Sequence, residues 1–202
     1  MLNTVLLTET FVTLFVIMDP VGTVPIFLSL TSGRSQATAR RAAWQAVAVS
    51  FFVITVFAFF GQQILSYLGI SLPALQGAGG LLLLLVALEL LTGNDQEPTA
   101  ASGTNVALVP LGTPLLAGPG AIVATMLFSR QVDAWSDFAA VALGVVLVHL
   151  ALWLAMRFSL PILRLIRESG VLLVTRIAGL LLSAIAVQLI ADSVRAFIAG
   201  EG

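Results

Sequence analysis

Charged residues are scarce in this chain, and two residue types are missing altogether. Only 9% of the 202 residues are Asp, Glu, Lys or Arg, whereas soluble domains carry about 25%. Cysteine is absent, which excludes disulfides and thiolate metal sites. Lysine is also absent, and the nine arginines form no basic patch for nucleic acid. No P-loop, zinc-protease, serine-hydrolase or dinucleotide motif occurs, so we predict no enzymatic activity and no metal site.

Hydrophobic residues make up 59% of the chain, and the mean hydropathy is +1.08. Six apolar segments are each about as long as the 20 residues that a helix needs to cross a bilayer. We expect an all-α polytopic membrane protein, organised as a single transmembrane domain over residues 1–202. The predicted spans are 4–31, 43–67, 72–92, 105–129, 136–157 and 172–198.

The arginines are distributed unevenly between the two sides of such a protein. Seven fall on the side of the connections between spans 1 and 2 and between spans 5 and 6, and only Arg130 and Arg195 fall opposite. Because cytoplasmic loops are enriched in basic residues, we place the arginine-rich side in the cytoplasm. Both termini are then outside the plasma membrane. The seven are Arg34, Arg40, Arg41, Arg157, Arg164, Arg167 and Arg176.

The two halves of the chain resemble each other at an offset of 98 to 100 residues. Pro20 corresponds to Pro119, Ile64-Leu65 to Ile162-Leu163, and Ala78-Gly79 to Ala178-Gly179. We therefore predict two three-helix repeats, 1–92 and 105–202, joined by a cytoplasmic loop over 93–104. A unit of three spans ends on the side opposite its start, so the second repeat must be inverted, as in many secondary transporters.

The first predicted span is interrupted near its middle by Asp19, Pro20, Gly22 and Pro25. Proline lacks an N–H group and its ring clashes with a carbonyl one turn back, so a continuous helix is disfavoured. We predict that one helix ends near Met18 and a second begins at Pro20, with Asp19 as its N-cap. Irregular backbone at this depth is tolerated where protein or a cavity surrounds it, so the interruption predicts a cavity.

The fourth span carries a matching interruption, with Gly118 as a predicted N-cap and Pro119 as the first helical residue. Both half-helices would direct their N-termini at the membrane centre, where unpaired N–H groups attract an anion. The carbonyls of Met18 and Ala117, with the Asp19 carboxylate, would hold a cation. A small zwitterion satisfies both sets. The simpler alternative is a pair of proline-kinked helices that packing repairs.

Two titratable residues lie near the membrane centre. Asp19 is the only acid predicted there, and carboxylates at this depth are functional candidates because their burial is unfavourable. It would bind an ammonium group or carry a proton, or it would only cap the helix. His149 lies at a similar depth and would relay protons, although a hydrogen-bonded packing histidine is favoured.

Two stretches resemble the signatures of the MarC family of bacterial and archaeal membrane proteins. DPVGTVPIFLSLT at 19–31 is similar to the first signature and PLLAGPGAI at 114–122 to the second; Thr23 stands where the family often has Asn. The resemblance implies a relation to LysE-type exporters, inverted repeats, discontinuous helices 1 and 4, and transport of small neutral amino acids. It implies as site elements Asp19, Pro20, Gly22, Pro25, Gly118, Pro119 and Gly120.

The resulting hypothesis is an alternating-access transporter of small neutral amino acids such as glycine or alanine. The substrate carboxylate would meet N–H groups at Gly22–Thr23 and Gly120–Ala121, and the ammonium would meet Asp19. No cofactor is expected. Transport would be coupled to H⁺ or Na⁺, or it would proceed by exchange of solutes. The alternatives are an exporter of a cation or another metabolite, and a non-transporting membrane scaffold or sensor. Self-association into a homo-oligomer stays open.

Overall fold

The computed structural model of the chain describes residues 2–92 and 116–200. Within those ranges every regular element is a helix. The helices are α1 (Thr4–Met18), α2 (Thr23–Thr31), α3 (Gln36–Leu68), α4 (Leu72–Thr92), α5 (Pro119–Ser129), α6 (Trp135–Arg157) and α7 (Ser159–Ile198).

Four of these helices are long and apolar enough to cross a membrane: α3, α4, α6 and the part of α7 from Ser169 to Ile198. They confirm the predicted second, third, fifth and sixth spans. The predicted first span is divided between α1 and α2, of 15 and 9 residues. The 11 residues of α5 form the second half of the predicted fourth span. The first half of that span and the loop 93–104 lie outside the described residues.

Local signals set several helix ends. The Asn3 side chain accepts a hydrogen bond from the Leu6 N–H at 3.1 Å and caps α1, and Ser35 caps α3 through the Thr38 N–H. α3 ends at Gly69, whose φ of 66° favours a residue without a Cβ. Arg167 has φ 60° and ψ 166°, which interrupts α7 and explains why the predicted sixth span begins only after it.

The contacts between α4 and α7, the most extensive helix pair, fix their relative direction. The Ser193 hydroxyl donates to the Pro73 carbonyl at 2.7 Å. One heptad further along α4, a Cβ built on Gly80 would lie 2.8 Å from the Ala186 carbonyl oxygen. Contact points that advance along α4 therefore retreat along α7, so the two helices are antiparallel and pack closely through small residues.

The contacts between α1 and α6 run the other way. Asn3 donates to the Asp137 carboxylate at 2.9 Å, and seven residues later Thr10 packs against Gly144. Both contact points advance together, so α1 and α6 are parallel. The first of them ties the start of α1 to the start of α6.

The described residues form two buried clusters, one around α1, α2, α3, α5 and α6 and a smaller one between α4 and α7. Ile17 packs against both clusters and so links them. The outer surface is rich in exposed apolar side chains such as Phe52 and Leu180, at 68% and 62% exposure. The amphipathic aromatics Trp44 and Tyr67 are exposed near opposite ends of α3, as expected for the two membrane interfaces.

Candidate functional site

The interruption between α1 and α2 is a single turn that Asp19 holds together. Asp19 has φ 37° and ψ 74°, so the chain leaves α1 in the left-handed region, which Asp tolerates better than most residues. One carboxylate oxygen, Oδ1, accepts a hydrogen bond from the Gly22 N–H at 3.0 Å. The Asp19 carbonyl accepts from the Thr23 N–H at 3.0 Å and the Thr23 hydroxyl at 2.8 Å. The carboxylate therefore caps the second helix, as an N-cap does.

The regular helix begins later than predicted. Residues 20–22 form a turn, and α2 starts at Thr23 rather than at Pro20. The left-handed conformation of Asp19 explains the delay, because it turns the chain sharply before helical dihedrals resume. The third-position N–H, on Gly22, is still the one that the carboxylate satisfies.

The other carboxylate oxygen of Asp19 is the unusual atom of this turn. Oδ2 is buried and has no hydrogen-bond partner among the described residues. It folds over Gly22 so closely that any Cβ at that position would collide with the carboxylate. On the other side, the Thr175 hydroxyl of α7 lies 3.3 Å from the same Cβ position. Leaving a buried carboxylate oxygen unsatisfied inside a membrane protein is unfavourable, so Oδ2 is the candidate ligand contact of this turn.

Two predicted anion donors are already occupied in this conformation. The Gly22 and Thr23 N–H groups both donate to oxygens of Asp19, so they do not point at an empty site. The Met18 carbonyl, predicted to be unpaired, accepts a long hydrogen bond of 3.4 Å from the Thr23 hydroxyl. The cause is the same in each case: hydrogen bonds within the turn satisfy its backbone N–H and carbonyl groups. What it leaves open is negative charge, at Oδ2.

The remaining predicted residues of this turn divide by burial. Pro20, Gly22 and Thr23 are buried, whereas Pro25 is exposed on the surface of α2. Pro25 therefore does not join the buried turn. Its missing N–H falls in the first turn of the helix, where no intrahelical partner exists.

The start of α5 follows the sequence prediction. Gly118, with φ −65° and ψ 164°, is the N-cap and Pro119 is the first helical residue. Gly118 supplies no side-chain cap, so nothing of its own covers the N–H groups of Gly120 and Ala121. Gly120 and Ala121 are buried, and a side chain at Gly120 would collide with Leu83 of α4.

The turn between α1 and α2 and the start of α5 border the same core. Met18 at the end of α1 belongs to one buried cluster with Ala117 and Ala121, which flank the start of α5. The cavities of about 770, 480 and 310 Å³ formed by described residues are not lined by Asp19 or Gly120. The predicted midplane cavity is thus not one of these three. Residues 105–115, which would approach the interruptions from the fourth span, lie outside the described part of the chain.

His149 is not part of the Asp19 turn. It is 3% exposed and has two partners: Nδ1 lies 2.8 Å from the Val145 carbonyl, and Nε2 lies 3.1 Å from the Ser50 hydroxyl of α3. Sequence reasoning missed Ser50, because a serine inside an apolar helix carries no local signal. The separation of 99 residues is the signal that identifies it, since it equals the offset between Pro20 and Pro119.

The family of the chain follows from comparison with known proteins. Residues 4–198 match the MarC family of integral membrane proteins. The chain is a member of the MarC family. Its relatives include a UPF0056 membrane protein of Methanocaldococcus jannaschii, 35% identical over 92% of this chain and 94% of the relative. Another is the UPF0056 membrane protein YhcE of Escherichia coli, 30% identical over 94% and 92% of the two chains. No solved structure matches this MarC protein.

The relatives come from bacteria and archaea, and their names describe membrane proteins without an activity. The MarC assignment confirms the resemblance of the two Pro/Gly signatures, since the match covers both. It also agrees with the four long apolar helices, and the chain is an integral, multi-pass membrane protein.

Proposed function

We propose that this MarC-family chain is a secondary transporter of small neutral amino acids across the plasma membrane. The observation that carries the proposal is the buried Oδ2 of Asp19, which has no partner within residues 2–92 and 116–200 and lies at a helix interruption. α1 extends about 22 Å at 1.5 Å per residue, so the interruption lies well inside a hydrocarbon core of about 30 Å. Discontinuous helices at this depth are the usual substrate sites of secondary transporters.

The chemistry of the two interruptions suits an α-amino acid. Oδ2 of Asp19 faces a substrate ammonium, while Oδ1 keeps its bond to the Gly22 N–H. The substrate carboxylate binds at the N-terminus of α5, where Gly118 offers no cap and the helix dipole favours negative charge. Gly120 and Ala121 are buried there and Leu83 packs directly against Gly120, so we expect that only a small substrate side chain fits. Glycine and alanine fit this description.

The inverted-repeat architecture that alternating access requires is supported by paired contacts between α4 and α7. Gly80 approaches the Ala186 carbonyl, with 2.8 Å from a built Cβ, and Gly179 approaches the Ala87 carbonyl, with 3.2 Å. Residues 80 and 179, and residues 87 and 186, are each separated by 99 positions. A two-fold axis that exchanges the halves would convert one contact into the other. The axis would pass near Leu83 and Leu182, which are both buried.

The directions of the helices also agree with six spans that alternate across the membrane. α1 and α6 are parallel, and α4 and α7 are antiparallel, as spans 1 and 5 and spans 3 and 6 must be. In this arrangement α2 and α5 both begin near the membrane centre and run to opposite sides. Transport would be coupled to H⁺ or Na⁺, or would proceed by exchange. Uptake measured with each gradient imposed separately distinguishes the three.

The test is uptake of labelled glycine or alanine by proteoliposomes that contain the purified chain or its Asp19→Asn variant. Asparagine keeps a carbonyl oxygen to accept from Gly22 and replaces the charged acceptor Oδ2 by a neutral NH2 donor. We expect uptake to fall about tenfold or more, because hydrogen bonds to a charged group contribute about 1.5 to 3 kcal/mol. The matched control is Asp192→Asn, which removes an exposed acid that pairs with Arg195 at 3.8 Å. It should leave uptake unchanged.

Two results would contradict the proposal. Full uptake by Asp19→Asn would show that the carboxylate acts only as a helix cap. No saturable uptake by the unmodified chain, over a broad panel of amino acids, would remove the transport function itself.

A cation exporter is the second candidate, because an unpaired carboxylate oxygen at the carbonyl end of α1 also suits a cation. Among the described residues no group of three or more His, Cys, Asp or Glu side chains lies together, so such a cation would rely on backbone and hydroxyl oxygens. Efflux of labelled monovalent and divalent cations from the same proteoliposomes, lost in Asp19→Asn, would favour this candidate over amino acid transport.

A further inference from the structure

A cavity of about 770 Å³ lies on the arginine-rich side of the molecule, away from the Asp19 turn. It is formed where α2 ends, α3 begins, and α6 passes into α7. We name it the arginine cavity. Its volume is within the range of roughly 300 to 1,000 Å³ that is typical of ligand pockets.

The charge of the arginine cavity has one sign. Arg34, Arg40 and Arg157 line it, and no acidic side chain does so among the described residues. None of the three forms an ion pair with a carboxylate in the part of the chain that the structure describes. The Arg157 guanidinium lies 5.3 Å above the Phe158 ring, which holds it at the mouth of the cavity. Three guanidinium groups around one opening favour an anion, and their planar donors suit a phosphate.

The rest of the lining is apolar and reaches the outside of the protein. Phe27 and Met156 form a buried floor, whereas Phe158 and Leu160 are each 46% exposed and form the rim. Leu165, five residues after Leu160 in the first part of α7, is 84% exposed. A rim of exposed apolar side chains at the end of membrane-spanning helices borders on lipid. The occupant that matches charged donors beside an apolar floor is therefore an amphiphile.

We propose that the arginine cavity is a binding site for an anionic phospholipid. The phosphate pairs with Arg34, Arg40 and Arg157, and the upper part of one acyl chain lies along Phe27 and Leu160. Basic pockets between helices at the membrane surface are known to hold anionic headgroups. The proposal does not depend on what the Asp19 site transports. It assigns the cavity to a lipid rather than to a soluble anion.

The test is native mass spectrometry of the purified full chain in micelles that contain equal amounts of phosphatidylglycerol and phosphatidylethanolamine. We expect selective retention of phosphatidylglycerol. Replacing Arg34, Arg40 and Arg157 together by Gln should lower this selectivity by about fivefold for each arginine, because a basic residue near an anionic surface contributes roughly that factor. A triple variant with unchanged selectivity would overturn the proposal.

The control removes three other arginines from the same side of the molecule. It therefore changes the net charge, and the number of arginines on that side, as much as the first triple variant does. These residues do not line the cavity and are exposed: Arg41, Arg164 and Arg176. Their replacement by Gln should leave the selectivity intact. An equal loss in this control would show that total charge, and not the cavity, selects the lipid.

A second variant keeps all the arginines and fills the space instead. Ala39 lines the cavity and is half-buried, so Ala39→Trp places bulk where the acyl chain should lie. Retention of phosphatidylglycerol should fall although the charge is unchanged, and this variant decides the matter if the triple arginine variant does not fold. Displacement of the lipid by millimolar inorganic phosphate would instead assign the cavity to a soluble anion and overturn the proposal.

Discussion

Ser50 and His149 form a buried hydrogen bond of 3.1 Å between α3 and α6. The second ring nitrogen of His149, Nδ1, lies 2.8 Å from the Val145 carbonyl, which can only accept. Nδ1 therefore carries the proton of the neutral ring, and Nε2 accepts from the Ser50 hydroxyl. The two residues are 99 positions apart, so under the proposed two-fold relation they are counterparts that meet on the axis.

Removing the Ser50 hydroxyl should destabilise the packing of α3 against α6. Ser50→Ala leaves the buried Nε2 without a partner, and an unsatisfied polar atom typically lowers the free energy of unfolding by about 1 to 3 kcal/mol. Unfolding by sodium dodecyl sulfate in mixed micelles measures the effect. Ser183→Ala is the control, because that exposed hydroxyl bonds only within its own helix. Equal stability of the two variants would show that the Ser50–His149 bond contributes nothing.

Two glycines at the α4–α7 interface, Gly80 and Gly179, should respond unequally to a methyl group. In Gly80→Ala the new Cβ would lie 2.8 Å from a backbone oxygen, which cannot move cheaply, whereas in Gly179→Ala the closest contact is 3.1 Å. We expect Gly80→Ala to lower the unfolding free energy by about 1 to 3 kcal/mol, as overpacked cores do, and Gly179→Ala by less. The same detergent titration measures both variants. The reverse order would contradict the described packing of these helices.

Gly22→Ala should damage transport more than stability. The new methyl group would displace the Asp19 carboxylate, so we expect uptake of labelled glycine or alanine to fall as far as in Asp19→Asn. Gly33→Ala is a matched contrast: no atom lies within 4 Å of its Cβ position, but φ is +74°. It should lower stability by about 1 to 2 kcal/mol and leave uptake per folded molecule intact. Normal uptake by Gly22→Ala would show that transport does not require the Asp19 turn.

The orientation predicted from the arginines can be tested directly because the chain has no cysteine of its own. Ala37 and Gln131 are exposed and lie at opposite ends of the helix bundle, so each is replaced by Cys in a separate variant. In intact cells, a membrane-impermeant maleimide should label Gln131→Cys and should reach Ala37→Cys only after lysis. The opposite pattern would place the termini in the cytoplasm and reverse the sides assigned above.

The sequence was most informative where proline and glycine restrict the backbone. Pro20 located the interruption between α1 and α2, and Pro119 located the start of α5, because a residue without an N–H is disfavoured in the interior of a helix. Gly118 and Pro119 were placed at their observed cap positions. The long apolar runs located the four spanning helices, since length and hydropathy alone decide whether a helix can cross a bilayer.

The sequence was least informative where a side chain has a choice of partner. Asp19 was expected both to cap the second helix and to offer its carboxylate to a ligand; Oδ1 makes the capping bond to the Gly22 N–H, and nothing in the order of residues distinguishes the two oxygens. Thr175 reaches the turn from a distant helix and has no signal of its own. Ser50 could have been found, since adding the repeat offset to its number gives His149.

The turn at Asp19 is held by its own backbone and carboxylate. Its hydrogen bonds to Gly22 and Thr23 are made within the chain, so an arriving solute has no backbone to order. Such preorganisation removes an entropic penalty that a loose loop would impose on binding. Affinity at this position should therefore track the charge and size of the solute, with little contribution from induced folding.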